Sequence, residues 1–558
     1  MGPADTAFTP GRPAWGFDLL RDLAPVWVWL PLALTSLVFV PRVRDGLVRR
    51  WPRSARVLAG LGALALVAFL WAHPDRALVN GDTSLRHGAF ATTDHPERFA
   101  EQALRGDLLL HHDLPLRLGG GTDRGAETVN RVQGIVAALL SVLAAIALAR
   151  ALGTTGLARA TVVAVSVATG ALALFNGYGK ATVELAVLTL VIAAGLVRGA
   201  RGGAHGLAWT GLAVAIAVTL HRSALAFVPA WLVAVALAPG AWPRTTAARA
   251  LLVSGLLAPV VTLTAVLPRL ITIVGGFDTT KHLHGGLGAA LAFAATPSQW
   301  ADVANALGVL FPLVPLVPVL LAFTPRPSGR ETLAWAALVL PWLALLLLTH
   351  PQHGLPRDWD VYVPAGVALA AFTASRVVAL FADEPRTLRL APAIALVALV
   401  PALQWVALQA DAPRTWARLR AVQTGPPLRP ADERAQAFDT IGMLALGRGR
   451  IEEARESFLR ASEAAPNPST FVRIGMAETM LGHPAEAMTH YRHAATLDPQ
   501  LPSAWRGIAA AASALGDRDA MAEAVQRLER LMPDDPVLPD ARAWLTQADA
   551  RRRAATGH

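Results

Sequence analysis

The chain has 558 residues, 54% of them hydrophobic and only 16% charged, with a mean hydropathy of +0.42, the composition of a membrane protein that carries a soluble appendage. Its formal net charge of +10 does not indicate nucleic-acid binding, because the basic residues flank apolar segments instead of forming a patch interleaved with aromatics. Cysteine is absent, which removes disulfide and thiolate chemistry.

Apolar stretches lie near 25–41, 57–73, 132–149, 160–176, 182–197, 207–220, 224–239, 250–268, 303–323, 332–349, 361–381 and 390–408. Each approaches the roughly 20 residues that cross a hydrocarbon core as helix. Runs of Ala, Leu and Val without period-two alternation exclude a barrel. The pattern predicts an all-α, polytopic helix bundle of about twelve spans over 1–408. The first stretch follows Asp18, Arg21 and Asp22 and lacks a small-residue cleavage site, so it reads as an uncleaved span. Only His221, Arg222 and Ser223 separate 207–220 from 224–239, and those two can equally form a re-entrant pair.

The connections alternate in character. Arg42, Arg44, Arg49, Arg50, Arg53 and Arg56 crowd the first. Arg150/Arg159, Arg198/Arg201, Arg244/Arg249, Arg326/Arg330 and Arg376/Arg386/Arg389 follow at every second connection. By the positive-inside rule these face the cytoplasm, which puts both termini outside an inner (plasma) membrane. The intervening connections then face outward and carry the reactive side chains. The first of them, 74–130, opens on Val-Asn-Gly-Asp-Thr with Asp82, continues through Asp94, His95 and Glu97, and ends with His111, His112 and Asp113. Asn-Gly-Asp-Thr is also good turn and cap chemistry, so a structural role for Asp82 stands beside a catalytic one.

Further along, Tyr178 and Lys180 lie in Phe-Asn-Gly-Tyr-Gly-Lys, and Lys281, His282 and His284 in Asp-Thr-Thr-Lys-His-Leu-His. These two lysines are the only ones in the chain, and a lysine is a compact point charge suited to phosphate. His221 and Arg222 sit at a span end. The last outer connection, 350–360, holds Arg357, Asp358, Trp359 and Asp360; an aromatic face beside carboxylates is a common sugar-binding arrangement, and interfacial anchoring is the plainer role for the tryptophan. The chain has no phosphate-cradling P-loop, no dinucleotide fingerprint and no His-x-x-x-His spacing; a divalent cation between Asp82 and a second acid is the metal chemistry that its residues allow.

After Leu408, residues 409–430 are rich in Pro and Arg and read as a linker. In 431–552, Phe438, Ile441, Gly442, Gly449, Ala454, Phe458, Ala461 and Pro466 recur as Phe471, Ile474, Gly475, Gly482, Ala487, Tyr491, Ala494 and Pro499. A looser third copy runs through Trp505, Ile508, Ala509, Gly516, Val525, Leu528 and Pro533. This resembles the tetratricopeptide repeat and predicts three antiparallel helix pairs with turns near Gly449, Gly482 and Gly516, capped by 537–548. The resemblance implies a protein or peptide partner, with bracing of the membrane part as the plainer role.

The many-spanned layout, with Asp82 near the start of the first large outer loop, resembles the glycosyltransferase C superfamily, and the appended repeats resemble the transmembrane and tetratricopeptide-repeat O-mannosyltransferases. What that resemblance implies is transfer of a sugar from a polyprenyl-phosphate donor to a hydroxyl on the extracytoplasmic face. Asp82, and after it Asp94 or Glu97, would serve as base. Lys180, His221, Lys281 and the Arg357/Asp358/Asp360 cluster would line one cavity with it, Tyr178, Arg222 and His282 belonging to the same substrate-binding set. An O-antigen ligase or polymerase type of enzyme and a non-catalytic membrane scaffold are the other readings.

Overall fold

The computed structural model describes residues 12–82, 86, 103–203, 205–238, 245–283 and 286–556, the side chains of 52–56, 555 and 556 excepted. No strand occurs among the described residues, and the chain forms two compact units, Arg12–Arg418 and one containing Leu419–His558.

Every apolar stretch of the first unit is largely helical, but among the described residues six helices, not about twelve, are long and apolar enough to cross a membrane. They are Asp123–Ala151, Thr182–Ala200, Thr246–Lys281, Gly329–Leu348, Leu355–Asp383 and Pro385–Ala410. A seventh arises if Pro25–Phe39 and Pro41–Trp51, bent by 79°, count as one span. The other stretches are interrupted for local reasons. Thr169 ends the stretch 160–176 by capping the 3₁₀ turn Gly170–Ala173, which leaves a helix Gly156–Val167 of 12 residues. Pro312 and Pro315 break 303–323 into Pro297–Leu310 and Leu316–Phe323, because proline removes a donor and disfavours helix in the residue before it. At 207–239, the His221 side chain accepts from Ser223 N and starts a 3₁₀ turn, Arg222–Phe227, between Gly206–Leu220 and Val228–Ala236. Helices of 8 to 15 residues fall short of a hydrocarbon core by themselves.

Small residues let the longer helices approach. Gly211 meets the Gly255 backbone, and a side chain at Gly206 would lie 2.7 Å from Gly195 O and Gly199 Cα, so only glycine fits these crossings. At one end of this bundle arginines satisfy the terminal carbonyls that helices leave open. Arg159 donates to Thr154 O at 2.7 Å, Arg201 to Ala151 O at 2.9 Å, Arg330 to Leu237 O at 3.0 Å and Arg376 to Pro325 O at 2.7 Å. The opposite helix ends carry the other polar residues: Thr182–Ala200 begins beside Lys180 and ends at Arg201, about 28 Å away at 1.5 Å per residue.

Two expected boundaries shift. The first long connection closes at Thr122, whose hydroxyl accepts from Gly125 N at 3.2 Å and caps a helix running from Asp123, and it already contains the short helices Arg105–Leu108 and Leu114–Leu118. The stretch 409–430 is not an irregular linker: Ala412–Thr424 is helical, with Trp416, Leu419 and Val422 buried at helical spacing.

The second unit contains the helices Ala431–Leu446, Ile451–Ala464, Pro468–Met480, Pro484–Leu497, Pro502–Leu515, Arg518–Leu531 and Leu538–Thr556. Gly449, Gly482 and Gly516 turn the chain within each pair at φ of 71°, 82° and 71°, conformations that side chains resist. The aromatics of the second helices occupy the space that glycines vacate. Phe458 lies over Gly442, and Tyr491 lies between Gly475 of its own pair and Gly507 of the next.

Candidate functional site

Polar groups from four separated segments converge at the end of the first unit opposite the arginines. Val79–Gly81 pairs with the chain around Arg357: Gly81 N donates to Arg357 O at 2.9 Å, and Arg357 Nε donates to Val79 O at 3.1 Å. This pairing brings Asp82 to Asp360. Gly81 is required there, since at φ +47° a side chain would stand 2.6 Å from Tyr178 OH and 2.7 Å from Asp360 Oδ1. Lys180 Nζ bridges the two acids, 3.3 Å from Asp82 Oδ2 and 3.3 Å from Asp360 Oδ2, while Tyr178 OH donates to Asp360 Oδ2 at 2.5 Å.

Lys180 is held in place from behind. Arg86 donates to Gly179 O at 3.1 Å and pairs with Asp107 at 2.6 Å, and Asp107 accepts from Ala181 N at 3.0 Å. The backbone on both sides of Lys180 is thereby fixed by one buried ion pair. His111 packs nearby on Glu184, with Nε2 2.9 Å from its carboxylate.

In front of this cluster lies a cavity of about 670 Å³. Asp82, Lys180, His221, Arg222, Asp278, His282, His353 and Asp358 form its polar end, and residues such as Leu225, Pro229, Phe277, Leu345 and Leu348 its apolar wall. Arg222 Nε binds both oxygens of Asp278, at 2.9 and 2.8 Å. His353 Nδ1 faces Asp358 Oδ2 at 3.1 Å and Oδ1 at 3.3 Å.

The charges follow from this packing. Burial by itself would raise the pKa of Asp82, but Lys180, then His353 and Arg86, outweigh it and hold the carboxyl well below the usual range. Burial would lower the pKa of Lys180, yet Asp360 and Asp82 raise it, so the ammonium stays charged. His221 is pushed well below its ordinary value by burial and by Arg222 and Lys180, and is neutral at pH 7.

Of the residues singled out in the sequence, Asp82, Lys180, His221, Arg222, His282 and Asp358 line the cavity, and Tyr178 and Asp360 stand directly behind Lys180. Lys281 is exposed and does not line it. Arg357 is buried beneath the site as a backbone anchor. Trp359 is buried against Gly170 and offers no face for stacking. Asp94 and Glu97 lie outside the described residues, as does His284. Arg86, Asp107, Glu184, Asp278 and His353 join the site without belonging to the candidate set read from the sequence. Two of these had a local signal: Arg86 stands one helical turn after Asp82, and Asp278 one turn before His282. Among the described residues, no three His, Asp or Glu side chains come together as metal ligands.

Against known families, the model of the tetratricopeptide repeat matches residues 435–468. The second unit carries a tetratricopeptide repeat. A curated relative, the Photosystem I assembly protein Ycf3 of Cyanophora paradoxa, is 29% identical over 137 residues, 21% of this chain and 78% of that protein. Neither similarity bears on glycosyl transfer. Residues 435–468 span the Gly442, Gly449 and Phe458 positions from which the repeat was read.

Proposed function

We propose that the first unit is a multi-pass membrane glycosyltransferase that moves a sugar from a polyprenyl-phosphate donor to a hydroxyl acceptor on the extracytoplasmic face. The carrying observation is a cavity in which cations and carboxylates meet at the end of an apolar wall. A lipid phosphate needs that combination, a place for its tail and positive charge where negative charge builds on the leaving phosphate. Arg222 supplies a guanidinium with the geometry for phosphate oxygens, Lys180 adds its charge from behind, and neutral His221 can donate or accept a hydrogen bond. The arginine end would face the cytoplasm of an inner membrane and the cavity the outside. The tetratricopeptide repeats would present a protein or peptide partner.

The test is transfer by full-length protein in vesicles supplied with polyprenyl-phosphate sugars. Arg222→Ala should weaken donor use strongly, and reporter fusions after Arg50 and near Gly120 should read inside and outside. Vesicles that transfer no sugar from any such donor would remove this reading. A second reading is an assembly or scaffold protein, favoured by the likeness to a protein named for photosystem assembly. In that case the repeats alone would carry function, and Arg222→Ala would leave partner capture and phenotype intact.

A further inference from the structure

We propose that His353, oriented by Asp358, is the proton acceptor for the attacking hydroxyl in this cavity, and that Asp82 serves as the ion-pair partner of Lys180. This rests on the transfer reading above and names the group that makes the acceptor nucleophilic.

The geometry is that of a general base with its orienting acid. His353 lines the cavity, and its Nδ1–H donates to the Asp358 carboxylate at 3.1 Å. That bond fixes the tautomer in which Nε2 carries a lone pair, and Nε2 bonds to no described residue. The histidine side chain keeps 29% of its surface exposed while Asp358 keeps 10%, so the ring reaches solvent and the acid holds it from below. A buried carboxylate on the far nitrogen also stabilises the imidazolium that forms on proton uptake.

Asp82 is poorly suited to that task. One of its oxygens is engaged by Lys180 at 3.3 Å, and Lys180 is shared with Asp360. The positive charges around it keep the carboxylate ionised, which makes it a weak proton acceptor. The other charged or titratable groups lining the cavity are His221, Arg222, Asp278, His282 and Tyr362, whose hydroxyl is engaged by Thr349. Asp278 is held by Arg222 Nε, and His282 lies 3.7 Å from Asp278.

In the step itself, the acceptor O–H proton passes to His353 Nε2 while the acceptor oxygen bonds to the anomeric carbon. The bond from that carbon to the phosphate oxygen breaks, and its electron pair leaves on the phosphate, towards Arg222. The imidazolium then returns its proton to water at the cavity mouth.

The experiment uses full-length protein in phospholipid vesicles with radiolabelled undecaprenyl-phosphate hexoses. It reads release of the lipid phosphate with water or serine-containing and threonine-containing peptides as acceptor. His353→Ala and His353→Gln should each lower kcat by about 10²–10⁴-fold and leave the donor KM nearly unchanged. Added imidazole should restore part of the rate to His353→Ala and none to Asp82→Asn. Asp358→Asn should lower kcat through its effect on His353. If wild type is active and either His353 variant keeps its rate, the assignment is overturned while the transfer reading stands. A loss in His353→Ala that imidazole does not relieve, in protein with a wild-type thermal transition, makes the residue structural and also overturns it. If wild type releases no lipid phosphate from any donor, the transfer reading fails and takes this assignment with it.

Discussion

The two units handle charge in opposite ways. In the repeat unit many ion pairs lie at the surface, such as Arg492–Glu523 with half-exposed partners 3.6 Å apart, or join a half-exposed arginine to a buried acid, as in Arg506–Asp535. In the first unit the pairs at the cavity are enclosed: Lys180 and Asp360 keep 8% and 0% of their side-chain surface, and Arg86–Asp107 is nearly as covered. Exposed pairs contribute little, whereas an enclosed charge is tolerable only with its partner in place. Glycine shows the same division. The repeat uses it to seat an aromatic ring on its neighbour, and the first unit uses Gly81 to let carboxylate, phenol and backbone meet. Charge is concentrated where it is costly in the first unit, which is where the proposed transfer would take place.

The largest effect is expected at Lys180. Lys180→Met should destabilise the first unit by about 3–5 kcal/mol, since Asp360 would be left enclosed and uncompensated. Lys180→Met combined with Asp360→Asn should recover much of the loss. Thermal unfolding of both variants in detergent measures this, and equal losses would show that the enclosure is not what matters.

Nearly as large an effect should come from acid. The folded pKa of Asp82 is depressed below its ordinary 3.8, so its stabilisation is complete above that value and is lost as pH falls below it. An acid titration of unfolding should therefore be flatter below pH 4 in Asp82→Asn than in wild type.

In the repeat unit the sensitive places are packing contacts. A side chain at Gly475 would begin 2.6 Å from the Tyr491 ring, and Gly475→Val should cost about 1–3 kcal/mol by overpacking. Hydrogen exchange should show the loss in Pro468–Met480 and Pro484–Leu497. The smallest effect belongs to Arg492→Ala, expected below about 1 kcal/mol because its ion pair is open to solvent. A loss above that in the same exchange measurement would erase the contrast between the units.

The repeat was legible because each of its contacts joins residues at a fixed separation within one pattern: the glycine, the aromatic and the turn recur together, and local sequence determines what each touches. The all-helical character of the first unit was equally legible, because long apolar runs without alternation leave the backbone only itself to bond with. The number of whole spans was not. Hydropathy counts apolar residues but does not register Thr169, His221 or the pair Pro312 and Pro315 ending a helix midway. The cavity lay further still from view. Asp82 and Lys180 are 98 residues apart, Tyr178 and Asp360 182, and the register of Val79–Gly81 against Arg357 decides which of the outer-loop residues face one another. The sequence by its alternating connections already separates the arginine-rich helix ends from those that carry Asp82, Lys180 and Asp360. That Lys281 stays exposed and that Trp359 and Arg357 are buried supports, packed on Gly170 and Val79, follows from tertiary packing, because contacts between distant segments depend on how the helices pack and carry no period in the chain.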